Sequence, residues 1–113
     1  MKIIETAISL DELKSMAQRG FGEMVKAVVD VEREIIAVDG ELHADEEALL
    51  LENGSRQENL WGINLYPELK GPEWVEFDSI INIRPSQGNR SRNVEDPIVR
   101  TNILKAVEKL VNR

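Results

Sequence analysis

Between Met24 and Glu32 the chain alternates with a period of two. Val25, Ala27, Val29 and Val31 interleave with Met24, Lys26, Val28, Asp30 and Glu32. Successive side chains of an extended backbone point to opposite faces, so this stretch is predicted to be a strand with one clean apolar face. Such a strand needs a partner, and the nearest is Ile35–Val38, across the polar turn Glu32-Arg33-Glu34. Asp39-Gly40 supplies a second turn signal directly after it. The simplest arrangement is an antiparallel hairpin, and the rest of the chain has to cover it.

Helical signals lie on both sides. Ser9 is a good N-cap with Glu12 three residues on, the spacing of a capping box, and Ile8 and Leu13 fit a hydrophobic staple. Leu10, Leu13, Met16 and Ala17 recur at helical spacing before Gly20 and Gly22, which predicts a first helix over 10–19. Carboxylates at Asp45-Glu46-Glu47 ahead of Ala48–Leu51, with Asn53-Gly54 as the stop, predict a short helix over 45–53. The competing hairpin, turning at Asn53-Gly54, is disfavoured because residues 55–59 offer the leucines no apolar partner. Asp96 as N-cap and Pro97 at the first helical position open a last helix, whose buried stripe is Val99, Ile103, Val107, Leu110 and Val111.

Extended segments fill the remainder. Met1–Glu5 reads as a short lead-in strand. Leu60–Tyr66 alternates, with Trp61, Ile63 and Leu65 on one face. Trp74–Arg84 reads as a final strand, after a loop containing Gly71-Pro72, with Phe77, Ile81 and Ile83 sharing a face. The order is therefore β-α-β-β-α-β-β-α. It predicts an α+β fold in one domain, residues 1–113, with an antiparallel sheet and about three helices on one of its faces.

Composition removes several classes of function. The chain has no cysteine, which excludes disulfides, thiolate metal sites and a cysteine nucleophile, and its single histidine, His43, excludes any site that needs two from one chain. The longest apolar runs are four residues, Ile35–Val38 and Ala48–Leu51, so no membrane span is expected and a soluble cytoplasmic protein is the default. The net charge of −7 makes nucleic acid and anionic membrane poor partners. That charge is unevenly spread. Residues 1–83 carry 7 basic and 18 acidic side chains, net −11, whereas residues 84–113 carry 7 basic and 3 acidic, net +4.

The basic excess draws attention to the loop from Arg84 to Asn93. Arg84, Ser86, Gln87, Asn89 and Arg90, arranged around Gly88, are the parts from which an oxyanion cradle is made. The GxxxxGK[ST] spacing of a P-loop is absent, and the alternative is a solvated loop whose arginines pair with the acidic body. Glu41-Leu42-His43-Ala44-Asp45 is a second candidate. If extended, it places Glu41, His43 and Asp45 on one side, so His43 and Asp45 are the candidate catalytic pair. A capped turn with a structural histidine competes with this reading. The third candidate is the polar face of the last two strands, with Asn64, Tyr66, Asp78, Asn82 and Arg84 leading into the basic loop. Its alternative is a plainly solvated sheet face.

The stretches Gly40–Glu47, Gly54–Pro67 and Ile81–Ser91 together resemble a family of small uncharacterised prokaryotic proteins, a domain of unknown function. The resemblance runs over essentially the whole chain and implies no activity, cofactor or substrate. It does make a shared site at His43, Asp45, Gln57, Asn64 and Arg84–Arg90 more plausible than composition does.

The expectation from these residues is a small binding protein or enzyme with one polar pocket. In it Asn64, Asn82, Arg84, Ser86, Gln87, Asn89 and Arg90 accept an anionic small molecule near His43 and Asp45; no metal is expected and the cofactor is unknown. The alternative class is a non-enzymatic module that assembles as a homo-oligomer. Only 4% of residues are aromatic, so the core is thin, and two hairpins leave sheet edges open for pairing.

Overall fold

The computed structural model describes residues 1–113. Its elements in chain order are β1 (Lys2–Ile4), β2 (Ile8–Ser9), α1 (Leu10–Arg19), β3 (Val25–Asp30), β4 (Ile35–Val38), α2 (His43–Glu52), β5 (Leu60–Leu65), β6 (Val75–Glu76), α3 (Pro97–Leu110) and β7 (Val111–Asn112). The expected β3–β4 hairpin forms, with Ala27 opposite Val38 and Asp30 opposite Ile35. Its turn is held by the buried Asp30, whose Oδ1 accepts the backbone N–H groups of Glu32 and Arg33, each at 3.0 Å. Oδ2 accepts the Ser55 hydroxyl at 2.6 Å. β1 adds antiparallel to β4 and β5 antiparallel to β3, and β6 pairs with the end of β5, giving the order β1-β4-β3-β5-β6.

The fold is α+β with three helices and an antiparallel five-stranded sheet. The helix starts follow the expected caps. The Glu12 N–H donates to Ser9 Oγ at 3.1 Å, and the Ile98 N–H to Asp96 Oδ1 at 2.8 Å. The Glu12 side chain does not return to Ser9; it pairs with Lys2 instead, at 3.5 Å.

Three features depart from the sequence-based expectation. The helices do not share a face. α1 and α3 bury Leu13, Met16, Ile103, Val107 and Leu110 against the face bearing Val25, Ala27, Val29, Ile36, Val38, Trp61 and Ile63. α2 instead lays Leu50 over Val28, Ile35, Ala37 and Leu60 on the opposite face. The alternation in β3 therefore understated its burial: Val28, on the other face from Ala27, is as fully covered.

The second departure is the last strand, which was expected over Trp74–Arg84 and pairs only at Val75–Glu76. The chain then leaves the sheet through a 3-10 turn at Ile80–Asn82, capped by Ser79, whose Oγ accepts the Ile81 N–H at 3.3 Å. Ile80 and Ile83 are left exposed. The third is a two-residue parallel pairing, Ile8 with Val111 and Ser9 with Asn112, which ties the C-terminal end to the start of α1.

Candidate functional site

α2 covers only part of its face of the sheet. A helix brings residues three and four apart onto one side, so the sheet-facing stripe of α2 is His43, Glu46, Glu47 and Leu50. Leu50 is the apolar anchor and fixes which stripe is buried. One turn earlier the same stripe is polar and ionisable.

His43 is the first residue of the helix and is buried. Its Nε2 lies 2.8 Å from the Ile63 carbonyl oxygen. A carbonyl only accepts, so Nε2 carries the hydrogen and the neutral ring keeps its lone pair on Nδ1. Burial lowers the His43 pKa below 6.5, against the opposing pull of the Ile63 bond; the charges of Lys26 and Arg92 lower it and that of Asp78 raises it. The ring is therefore neutral at neutral pH.

Glu46 is shifted the other way. It is fully buried, and burial pushes its carboxyl up to about 9, with the Gly40 N–H and the Lys26 charge opposing. Its Oε2 accepts the Gly40 N–H at 2.9 Å, while Oε1 has no partner. Gly40 is required here because a Cβ on it would fall 2.7 Å from Glu46 Cγ. Glu47 Oε2 is also buried without a hydrogen bond, 3.6 Å from Arg84 Nη2.

Beyond the end of α2 the sheet face is open and polar. The register sets Lys26, Asn64 and Glu76 side by side on β3, β5 and β6. Asn64 is buried. Its Nδ2 donates to Glu76 Oε1 at 2.8 Å and to the Asp78 carbonyl at 3.2 Å, and its Oδ1 has no partner. The Tyr66 hydroxyl donates to the same Glu76 oxygen at 3.1 Å, and Arg92 Nε donates to Asp78 Oδ1 at 2.7 Å. All three buried side-chain oxygens without a hydrogen bond, on Glu46, Glu47 and Asn64, thus lie beneath α2 or on the sheet face it leaves open.

The other expected site residues are placed differently. Asp45 lies two residues from His43 on a helix rather than a strand, which turns it about 200° away, and it is exposed. It does not join His43. Arg84 is buried and its fork is occupied by its own chain. Nε donates to the Ile81 carbonyl, Nη1 to the Gln57 carbonyl and Gln87 Oε1, and Nη2 to the Leu60 carbonyl. The guanidinium also stacks over the Trp61 ring at 4.7 Å. Asn82 and Asn89 are buried too. The Asn82 amide bonds Gly62, and Asn89 Nδ2 donates to the carbonyls of Asn82, Ser91 and Asn93. Ser86, Gln87 and Arg90 lie on the exposed rim of the loop, with Gln87 Nε2 donating to the Glu58 carbonyl at 3.0 Å.

The loop does make an oxyanion cradle, and its own carboxylate fills it. Glu95 Oε2 accepts the N–H groups of Arg90 at 2.7 Å and Ser91 at 3.0 Å, and the Ser91 hydroxyl at 3.0 Å. These donors hold the Glu95 carboxyl below its ordinary range. The Arg90–Ser91 part of the loop is therefore turned to Glu95, while Arg92 of the same loop pairs with Asp78 and acts on His43, and Arg84 pairs with Glu47.

Residues 2–110 match the family described as "Protein of unknown function (DUF5674)". The chain belongs to this family. No curated protein and no solved structure matches it.

In this DUF5674 chain the sequence reading missed Glu46 and Glu47 as buried groups. The sequence marks them only as first-turn carboxylates that favour the positive end of the helix. The spacing His43, Glu46, Glu47, Leu50 carried the signal, but Leu49, Leu50 and Leu51 in succession hid which of the three faces the sheet. No group of three or more His, Cys, Asp or Glu side chains is arranged to hold a metal ion.

Proposed function

We propose that the chain binds a small, polar, anionic molecule on the open half of the sheet at the N-terminal end of α2, and that His43 accepts a proton there. One observation carries the reading: α2 turns His43, Glu46 and Glu47 inward, and the buried side-chain oxygens that lack a hydrogen bond lie on Glu46, on Glu47, which has only its ion pair with Arg84, and on Asn64 of the adjoining sheet face. A buried polar atom without a partner costs about 1–3 kcal/mol, a cost that folded chains accept where a ligand makes use of it. The two shifted groups complement each other. A neutral imidazole and a protonated carboxyl one turn apart form a base and an acid at the same pH. Lys26 and Arg92, both close enough to act on His43, supply the positive charge.

The test uses the single histidine as a reporter. A thermal-shift screen of phosphorylated metabolites and small carboxylates is expected to yield a stabiliser worth about 2.7 kcal/mol at one hundred times its dissociation constant. That ligand should move the His43 ring resonances and lose most of its effect in His43→Gln. A stabiliser that acts equally on the variant and leaves the ring resonances in place would overturn the reading.

A second reading, assembly into a homo-oligomer, is favoured by exposed Ile80, Ile83 and Ile98, at 67%, 43% and 70%. Sedimentation at about 100 μM, well above a typical specific dissociation constant, decides it: a strict monomer removes it. A cytoplasmic setting belongs to the same proposal. A chain without cysteine gains nothing from an oxidising compartment, and no helix is long and apolar enough to cross a membrane.

A further inference from the structure

A cleft of about 610 Å³ opens beside the start of α2, between the end of α1 and the turn after β4. Its volume lies in the range of small-molecule sites. Met16, Phe21, Met24 and Leu42 give it an apolar lining, and Phe21 and Leu42 are exposed at 49% and 55%. His43 is not among the lining residues, so the cleft is distinct from the polar sheet face, although Lys26 borders both.

The charges are the informative part. Six of the fourteen lysines and arginines lie within 4.0 Å of a carboxylate and eight do not, and two of those eight meet at this cleft. Lys2, Lys14 and Arg56 each pair with a glutamate. Arg19 and Lys26 form no ion pair, and both face this cleft. The Lys26 ammonium rests instead over the Phe21 ring, 4.8 Å from its centroid. Of the two acids at the cleft, Asp39 is engaged by the N-terminal amine at 4.0 Å. Glu41 remains exposed at the rim, where it repels a second negative charge on any occupant. Leu42, the N-cap of α2, offers no side-chain hydrogen bond, so the positive end of the helix adds to the two cations.

We infer that this cleft takes an amphipathic monoanion, an apolar body carrying one oxyanion head, with the body on Phe21, Met24 and Leu42 and the head between Arg19 and Lys26. The cleft shares Lys26 with the proposed anion site on the sheet face but does not use His43, so the proposal does not depend on the proton-transfer reading.

The test is an NMR titration of the full chain with octanoate, alongside octanol, which has the body without the charge, and acetate, which has the charge without the body. Octanoate is expected to saturate, with amide shifts concentrated at Phe21, Lys26, Gly40 and Leu42, and octanol and acetate to bind at least about tenfold more weakly, or 1.4 kcal/mol. Lys26→Gln and Arg19→Gln should each weaken octanoate several-fold. Arg19 is exposed at a helix end, so its variant keeps the test sound if Lys26→Gln folds poorly. Octanoate affinity should survive His43→Gln, which separates this result from the fate of the base. No saturable binding up to about 10 mM, equal binding of octanol, or shifts scattered away from the cleft would each overturn the inference.

Discussion

The side-chain amide of Asn82 takes both backbone groups of Gly62, accepting its N–H on Oδ1 at 2.8 Å and donating Nδ2 to its carbonyl at 2.9 Å. This is the pattern a neighbouring strand would provide, made by one side chain. β6 pairs only with the far end of β5, and here the amide of Asn82 closes the edge that a longer strand would otherwise cover. Gly62 is glycine because Ser79 sits where its side chain would be: a Cβ there would fall only 2.5 Å from that of Ser79.

Asn82→Ala should therefore destabilise the chain by about 2–4 kcal/mol, the scale of leaving two buried backbone groups without partners. Gly62→Ala should also destabilise, by wedging Ser79 away from the strand. Urea unfolding of each variant checks both. A loss under about 0.5 kcal/mol for Asn82→Ala, the level of an ordinary surface substitution, would mean that the amide is replaceable by water.

Arg84→Lys is expected to behave as a scaffold lesion. Lysine keeps the charge near Glu47 but loses the planar fork that reaches the Ile81, Gln57 and Leu60 carbonyls. The melting temperature without ligand should fall, with a loss of about 1–3 kcal/mol. The stabilisation given by any ligand of the His43 region should be unchanged. An unaltered melting temperature together with a lost ligand shift would return Arg84 to the binding site.

The parts of the fold that were legible are those with a local cause. Ser9 and Asp96 cap helices where their chemistry demands, and the β3–β4 hairpin follows from alternation and a polar turn. The parts that were not legible depend on distant partners. Residues 77–84 alternate like a strand, yet side chains already close the β5 edge they would have joined. Nothing near α2 says which sheet face it will cover, so its buried stripe could not be told from its exposed one. The loop residues were legible as an anion cradle. That the anion is Glu95, a few residues further along, follows only from the loop's path through Gly88, which has a φ of 78°.

His43 should titrate below 6.5, with Nε2–H as the neutral tautomer; imidazole ¹⁵N shifts followed against pH report both. The sign for stability follows. The folded state binds this proton less well than the unfolded chain, so stability falls as pH drops below about 6.5. His43→Gln should remove that part of the acid sensitivity. An ordinary pKa would contradict the burial of the ring, and Nδ1–H as the neutral tautomer would contradict its bond to Ile63.

Glu46 predicts a slope at the other end of the scale. Its folded pKa of about 9 lies above the ordinary 4.5, so between these values the folded state holds a proton that the unfolded chain has released. Stability should therefore decline as pH rises across that window, by about 1.4 kcal/mol per unit, and level off above it. Glu46→Gln keeps the size and the contact with Gly40 without the ionisation. The difference in unfolding free energy between the two proteins should widen with pH at that slope. Parallel curves from pH 5 to 9 would show that Glu46 is ionised in the folded chain and that α2 has room to hydrate it.

The last prediction concerns the filled cradle. Glu95 Oε2 holds the Arg90 and Ser91 N–H groups and the Ser91 hydroxyl, while the Glu95 N–H is held in turn by Asn89 Oδ1 at 2.8 Å. The carboxylate thus does for this turn what an external oxyanion does for a phosphate-binding loop. Glu95→Ala should leave the core intact, because Glu95 is exposed and the buried Asn89 keeps its bonds to the carbonyls of Asn82, Ser91 and Asn93. Amide hydrogen exchange at Arg90 and Ser91 should accelerate by about tenfold or more, the signature of local opening without global unfolding. Inorganic sulfate, in millimolar amounts, should slow exchange again at those two amides in the variant and have no effect on them in the parent chain, where the carboxylate already holds the position. Unchanged exchange in Glu95→Ala would mean that the turn is held by Asn89 alone and that the carboxylate is incidental to it.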